Sequence, residues 1–346
     1  EGGGTGNVDY HWTACQDAEM LVFSVLSPWG LSIGEKLAVP TLAGALHPLT
    51  PTRQFPMQLL SRSLGGPLNY ASHLLAEAML DLITGGALNV FRRKTLGLPP
   101  IQFPDSTLRR LRRSGMPLLY NLSPTITPRP PDWPPQVHMA GYWRLPPPPA
   151  WQPPSDLLRF LEAGPPPVYV GFGSMVKTNA AHLTQVVVQA LKLAGRRGLL
   201  APGWGGLQPG TAYPDTIFPV DDIPHEWLFP RCAAVLHHAG MGTTAAGLLA
   251  GVPAITLPHM QDQPYWARRL NMLGVAPPPL SEKSLTSELL AAALKDALLL
   301  ARTLRAREIA ALLAQEGGLQ AIIEDLTALR DAAEDSCRTL LANQRQ

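Results

Sequence analysis

The sequence predicts an α/β protein of two doubly wound, Rossmann-like domains, the first of them incomplete. Three observations lead there. Between residues 168 and 257 short apolar runs of strand length alternate with helix-length segments, the pattern of parallel strands joined by right-handed helical crossovers. At 346 residues the chain exceeds the usual domain size of about 100–200 residues, so two cores are expected. Only three strand-like runs precede the proline-rich stretch that starts at Pro128, a thin sheet for a nucleotide-binding-type layer, so the front of the first domain is expected to be missing.

Taken in order, a glycine-rich, disordered lead gives way to a strand at Met20–Val25, a helix at Trp29–Ala38 and a second strand at Val39–Ala45. Residues 68–95 follow a helical pattern broken near Gly85-Gly86, and Pro117–Leu122 is a third strand. The 37 prolines concentrate in Pro128–Pro135 and Pro146–Pro149, with Pro153-Pro154 beyond. Such runs continue neither helix nor sheet and act as semi-rigid spacers. The boundary is therefore expected near residues 146–154, separating a partial domain over 1–148 from a second over 149–346. In the second, Val168–Phe172, Arg197–Ala201, Thr216–Val220, Ala233–His237 and Ala254–Leu257 read as strands. Residues 180–194 read as a helix, Pro224–Leu228 as a short one, and 285–301, 303–315 and 318–333 as helices closing the same domain.

Composition narrows the function classes. A formal net charge of +2 gives no electrostatic case for nucleic acid or an anionic surface. The basic clusters Arg92-Arg93-Lys94 and Arg109–Arg113 read as solvated helix faces. Three cysteines, Cys15, Cys232 and Cys337, have neither disulfide nor zinc spacing, which suits a reducing cytoplasm. No unbroken run of about 18 apolar residues occurs, so a soluble cytoplasmic protein with at most peripheral membrane contact is expected. Ala71–Leu82 reads as a core or amphipathic helix in preference to the wall of a lipid-sized cleft.

The most informative stretch is residues 235–263: an apolar strand, His237-His238-Ala-Gly240-Met-Gly242-Thr243-Thr244 opening a small-residue helix, a second strand, and Asp262-Gln263 beyond it. Gly240 and Gly242 let the backbone approach an anion and take strained dihedrals, and Thr243 and Thr244 are candidate caps of the helix. A helix N-terminus carries about half a positive charge and unpaired N–H groups, so a diphosphate can sit there without a metal ion. His238 adds a donor, while His237 reads as structural. Asp262 and Gln263, delivered at the same carboxyl edge, suit sugar hydroxyls. Nearby loops add Gly173-Ser174, where Ser174 is equally a plain helix N-cap, and Trp204, which either covers a flat base or packs inside. Gly240-Met-Gly242-Thr-Thr-Ala245 also fits a dinucleotide fingerprint, with Asp262 about 20 residues on. A structural strand-turn-helix is the bland alternative. The late position of the unit, the His pair and the Gln-Pro after the acid favour a nucleotide-sugar.

His225-Glu-Trp227-Leu-Phe-Pro-Arg231, the His238 turn, Gly251-Val-Pro253 and Asp262-Gln263-Pro264 together resemble the sterol glucosyltransferase-like branch of the family 1 UDP-dependent glycosyltransferases. Tyr169–Met175, Gly203–Gly206, Gly34–Leu37 and Pro48–Pro56 are similar to further blocks of that family, over about residues 15–300. The resemblance implies the two-domain GT-B fold, with the nucleotide-sugar held by the C-terminal domain and the acceptor by the N-terminal one. It implies that His238, Gly240, Gly242, Thr243 and Thr244 hold the diphosphate, Asp262 and Gln263 the hexose, Gly173 and Ser174 the phosphate or reacting region, and Ile223 and Trp204 the uracil. Ala239 stands where glycine is common, which ordinary dihedrals would tolerate.

Residues 1–16 do not resemble the family's opening strand and glycine-rich turn, so the chain is expected to lack its first strands and the catalytic base they carry. His11 and His47 are poor substitutes. The expected reaction is inverting transfer of a hexose, glucose by family likeness, from a UDP-sugar co-substrate to a hydroxyl of a hydrophobic acceptor such as a sterol. The resemblance implies neither resident cofactor nor metal. A catalytically silent nucleotide-sugar-binding protein, completed by a partner chain or oligomer, is the alternative, with a dinucleotide oxidoreductase behind it.

Overall fold

The computed structural model describes residues 6–58, 60, 62–102, 105–173, 180–203 and 213–342. The chain divides into two units, one made of Glu1–Trp143 with Gly317–Gln346, the other of Arg144–Glu316.

The first unit opens with α1 (Gly6–Cys15), β1 (Leu21–Ser24), α2 (Trp29–Leu37), β2 (Thr41–Ala45), α3 (Gly66–Phe91), α4 (Thr107–Ser114), β3 (Leu118–Tyr120) and β4 (Val137–Met139). Its four strands are parallel in the order β1-β2-β3-β4, with Ala43 beside Leu118 and Leu118 beside Val137. Several expectations need correction here. Residues 6–15 are helical rather than disordered, because Trp12 and Cys15 pack on the cluster of Ile33, Phe91 and Leu96. Helix α3 runs unbroken through Gly85-Gly86 and continues as a π-helical turn over Arg92–Leu96, closed by Gly97 at φ 65°. Glycine weakens a helix interior by only about 1 kcal/mol, too little to break one of 26 residues.

The prolines of 128–135 are not a spacer. Trp133, 4% exposed, stacks on Tyr120 at 5.0 Å and donates from its indole to the Thr50 carbonyl, while Asp132 accepts from Thr52 Oγ1 and the Arg53 amide. The strand that follows, β4, was not foreseen. The basic clusters are solvated only in part: Arg93, Lys94 and Arg113 are exposed, whereas Arg92, Arg110 and Arg112 turn inward. Glu35 of α2, with its side chain fully buried, accepts from Arg92 at 2.8 and 2.9 Å and from Arg110 at 2.8 Å, and Arg112 pairs with Glu77.

The second unit contains α5 (Ser155–Glu162), β5 (Val168–Gly171), α6 (Ala180–Leu193), β6 (Gly198–Ala201), β7 (Ile217–Pro219), α7 (His225–Leu228), β8 (Ala234–His237), α8 (Met241–Ala250), β9 (Ala254–Thr256), α9 (Gln263–Met272), α10 (Ser287–Ala297) and α11 (Leu300–Leu313). All its strands pair in parallel in the order β7-β6-β5-β8-β9. Alternation along the strands fills both faces. Val168, Val170, Leu200, Leu236 and Ile255 join one core cluster, and Tyr169, Leu199 and Val235 join the other. A parallel sheet buried on both sides needs these near-continuous apolar runs. The strand order reverses between β5 and β8, a topological switch point whose carboxyl edge is the usual ligand crevice of a doubly wound sheet.

The remaining helices, α12 (Gly318–Glu324) and α13 (Leu326–Ala342), pack on the first sheet rather than closing the second. Ile322, Leu329 and Ala333 meet Leu42 and Leu119, and the Gly318 amide donates to the Ala140 carbonyl at 2.6 Å. The single helix expected over 318–333 is thus two helices, and the segment belongs with the N-terminal unit instead of residues 149–346. The cause is non-local, since the apolar face these helices cover is supplied by strands some two to three hundred residues earlier.

Candidate functional site

Strand β8 delivers two adjacent histidines to the switch point, and their environments differ. His237 is 1% exposed, and its Nδ1 accepts the Ala239 N–H at 3.1 Å. Burial, with His238 and His225 nearby, pushes its pKa down to about 3, so it is a neutral anchor of the turn. His238, the residue after the strand, is half-buried. A Cβ at Gly173, in the loop after β5, would stand 3.1 Å from His238 Cε1, and one at Gly240 only 2.4 Å from Nε2. The imidazole thus lies between two loop backbones that have room for it only because both residues lack a side chain.

The strained residue of the turn is Ala239, at φ 65° and fully buried, so the condition under which its methyl group would be tolerated without strain, ordinary dihedrals, is not met. Gly240 itself is extended, at φ −63° and ψ 145°, and forms the N-cap of α8 without a side-chain cap bond. Threonine capping is likewise corrected: Thr243 and Thr244 fall inside the first turn of the helix, and the Thr244 amide bonds to the Gly240 carbonyl at 2.9 Å. By helix geometry the N–H groups of Met241, Gly242 and Thr243 have no acceptor within α8. A Cβ on Gly242 would meet nothing within 4 Å, so the helix surface at that residue is uncrowded. Thr244 is 2% exposed; its side chain faces the core and leaves the set of candidate ligand contacts.

In front of this helix end lies a cavity of about 560 Å³, lined by Gly171, Gly173, Ala201, Gly203, Thr243 and the segment Val220–His225, with Tyr169 behind. Ile223, the residue expected to meet the base, is in its wall. His225 and Tyr169 were missed by sequence reasoning. The His225 ring stacks on Phe229 at 4.3 Å and its Nε2 lies 3.3 Å from Tyr169 Oη. Burial lowers the His225 pKa and raises that of Tyr169, so both are neutral near pH 7. A polar-tipped aromatic in a buried strand, two residues before a strand-end glycine, is the signal that was available.

Asp262 and Gln263 sit at the start of α9, after β9. Asp262 Oδ2 accepts the Trp266 indole N–H at 2.9 Å, which fixes the carboxylate and leaves Oδ1 for another donor. Gln263 is 5% exposed, and its Oε1 accepts the amides of His259 and Met260 at 2.8 and 3.2 Å. Its oxygen therefore braces its own loop, which narrows the expectation that it both donates to and accepts from a sugar. Ser174 and Trp204 lie outside the described residues. Among the described residues no group of three His, Cys, Asp or Glu side chains is placed to hold a metal ion.

A profile of the erythromycin biosynthesis protein CIII-like C-terminal domain matches residues 207–329. The chain is 37% identical over 328 residues to a sterol 3-beta-glucosyltransferase of Pichia angusta, covering 91% of this chain and 26% of that protein. It is 34% identical over 339 residues to one of Cryptococcus neoformans, covering 90% of this chain and 21% of the relative. The chain thus spans about a quarter or less of the length of these relatives. Among solved structures, the spinosyn rhamnosyltransferase SpnG complexed with thymidine diphosphate superposes with a TM-score of 0.61 at 17% identity, covering 92% of this chain and 76% of that one. That likeness shows the GT-B fold.

Proposed function

The chain belongs to the family 1 glycosyltransferases, in their sterol glucosyltransferase-like branch, and from that membership we propose that its second unit binds a UDP-sugar whose hexose, glucose, passes with inversion to a hydroxyl of a hydrophobic acceptor such as a sterol. The observation that carries the reading is His238, set between Gly173 and Gly240 at the switch point, ahead of the open first turn of α8.

In this reading the amides of Gly242 and Thr243 and the His238 imidazole receive the diphosphate, the Val220–His225 wall with Ile223 receives the uracil, and Asp262 receives the hexose hydroxyls. As the acceptor oxygen attacks the anomeric carbon, a base takes its proton and the carbon–oxygen bond to UDP breaks on the opposite face. Negative charge grows on the leaving diphosphate. Donors already aimed at it, together with the helix dipole, stabilise that charge without a divalent cation. No residue of this chain is assigned as the base. The relatives' printed activity supports glucose and a sterol, and the thymidine diphosphate of SpnG, a pyrimidine nucleoside diphosphate like UDP, supports the donor class.

Calorimetry with UDP and UDP-glucose in chelator tests the proposal. His238→Ala is expected to weaken both ligands roughly ten- to a hundredfold, the equivalent of one hydrogen bond to a charged group. Asp262→Ala is expected to weaken UDP-glucose and leave UDP unchanged. Binding that disappears with chelator, or survives intact in the double variant, rules the site out. Transfer to a panel of sterols then separates an active enzyme from a chain that only holds donor, and an NADH titration without binding disposes of the dinucleotide reading.

A further inference from the structure

Helix α3 is built inside out. Its buried positions are polar at the N-terminal half: Asn69 bonds the Leu64 amide and the Arg53 carbonyl, His73 Nε2 lies 3.1 Å from the Phe55 carbonyl, and Glu77 pairs with Arg112. The opposite face is apolar and bare. Between Pro67 and Val90 the exposed positions hold Pro, Leu, Tyr, Ala, Met, Ile, Gly and Val and no charged or amide side chain. Leu75, Met79, Leu82 and Ile83 are 56–86% exposed. With its π-helical extension the segment Gly66–Leu96 is long and apolar enough, by length and composition, to cross a membrane. The polar residues spaced along its buried side interrupt the run in the sequence, so no unbroken apolar stretch revealed it. Of the two readings of Ala71–Leu82, a core helix is corrected, and the amphipathic helix is the one observed, with its polar face turned inward.

We propose that α3 lies along the surface of a lipid bilayer, its apolar face sunk to the boundary between headgroups and acyl chains. Spanning is disfavoured because Asn69, His73 and Glu77 are tied into the first unit. Two features select a bilayer over a protein partner. The bare arc is about half the circumference, reckoned at about 100° per residue from Ala78 round to Ala87, far wider than the narrow seam a partner helix covers. Its C-terminal end, moreover, carries the exposed cations Arg93 and Lys94, and long basic side chains at the edge of an apolar face reach lipid phosphates while their stems stay in the boundary.

Flotation of the full chain with phosphatidylcholine vesicles, with and without phosphatidylserine, tests this. The chain is expected to float with both and more strongly with the anionic lipid. Leu82→Glu with Ile83→Glu is expected to lower partitioning at least tenfold on both. Arg93→Ala with Lys94→Ala is expected to remove only the increment due to phosphatidylserine, an increment that added salt also erodes. All four residues are solvent-exposed, so unchanged thermal unfolding of each variant confirms an intact fold, and calorimetry with UDP reports separately on the donor site. The proposal is overturned if the chain floats with neither vesicle, or if the Leu82/Ile83 variant floats like the parent. It is overturned equally if the parent sediments as a dimer that this variant dissociates, which would make a second copy the occupant.

Discussion

Gly240 stands so close to His238 that a methyl group on it would lie 2.4 Å from the imidazole Nε2. The backbone of Gly240, extended at φ −63° and ψ 145°, is one that alanine adopts freely. Gly240→Ala is therefore a selective probe: the cost falls on the histidine ring rather than on the N-cap of α8. The variant is expected to keep the parent's unfolding transition to within about 1 kcal/mol, because the displaced ring borders a crevice. UDP affinity should fall roughly tenfold or more as the imidazole leaves the diphosphate. Calorimetry beside thermal unfolding checks both; unchanged affinity would separate His238 from the donor.

What the sequence made legible was what short-range pattern encodes. The strands of the second unit and the His238 turn at their carboxyl edge follow from apolar runs punctuated by glycine within a few residues of the site, whereas Ile223 was pointed to only by the family resemblance. What it hid depends on distant partners. Nothing near Gly318 reports that Ile322 and Leu329 will leave the preceding helices and cover Leu42 and Leu119 of the first unit's own sheet. Likewise, the proline run looks like a spacer until Trp133 is seen stacked on Tyr120. Arg110 looks solvated until Glu35 is found buried beneath it. Dihedrals were the other blind spot, for strain expected at the glycines of the turn sits instead on Ala239.

Ala239 lends itself to a stability measurement because opposing terms nearly cancel. A left-handed φ costs an L-residue roughly 1–2 kcal/mol, which glycine would relieve. Replacing it with glycine forfeits a buried methyl of about 0.8 kcal/mol and adds about 0.4–1 kcal/mol of unfolded-chain entropy. Ala239→Gly is thus expected to unfold within about 1 kcal/mol of the parent. Ala239→Val has no such offset: a branched side chain at φ 65° in a fully buried turn combines strain with overpacking, a loss of about 3 kcal/mol. Chemical denaturation of the two variants checks the asymmetry.

The pair of arginines on Glu35 sets the next expectation. Burial alone would raise this carboxyl, but the Arg92 hydrogen bond and the charges of Arg110 and Arg92 prevail and hold it below its usual range. Removing the carboxylate strands two guanidinium groups, those of Arg92 and Arg110, that are almost out of water. Breaking one side of such a buried cluster costs about 3–5 kcal/mol. Glu35→Ala should unfold the first unit well before the second, turning a denaturant titration biphasic while UDP binding persists at low denaturant. A single transition at the parent's midpoint would contradict the cluster's structural role.

Acid should loosen the second unit through His237. Its folded pKa, near 3, lies below the ordinary 6.5 because burial and the neighbouring His238 and His225 disfavour the imidazolium. Unfolding frees the ring to bind a proton, so the unfolded state takes up more protons wherever pH lies between those two values, and stability falls as pH falls through that window. His225, His73 and His138 are lowered as well and act in the same direction. Above about pH 7 every one of these rings is neutral in both states and the effect vanishes. The unfolding midpoint is expected to be flat from neutral pH upward and to drop steadily below about 6, with His237→Asn blunting the slope. Asparagine can still accept the Ala239 amide but does not titrate, so an equally steep profile in that variant would show that the proton uptake belongs elsewhere.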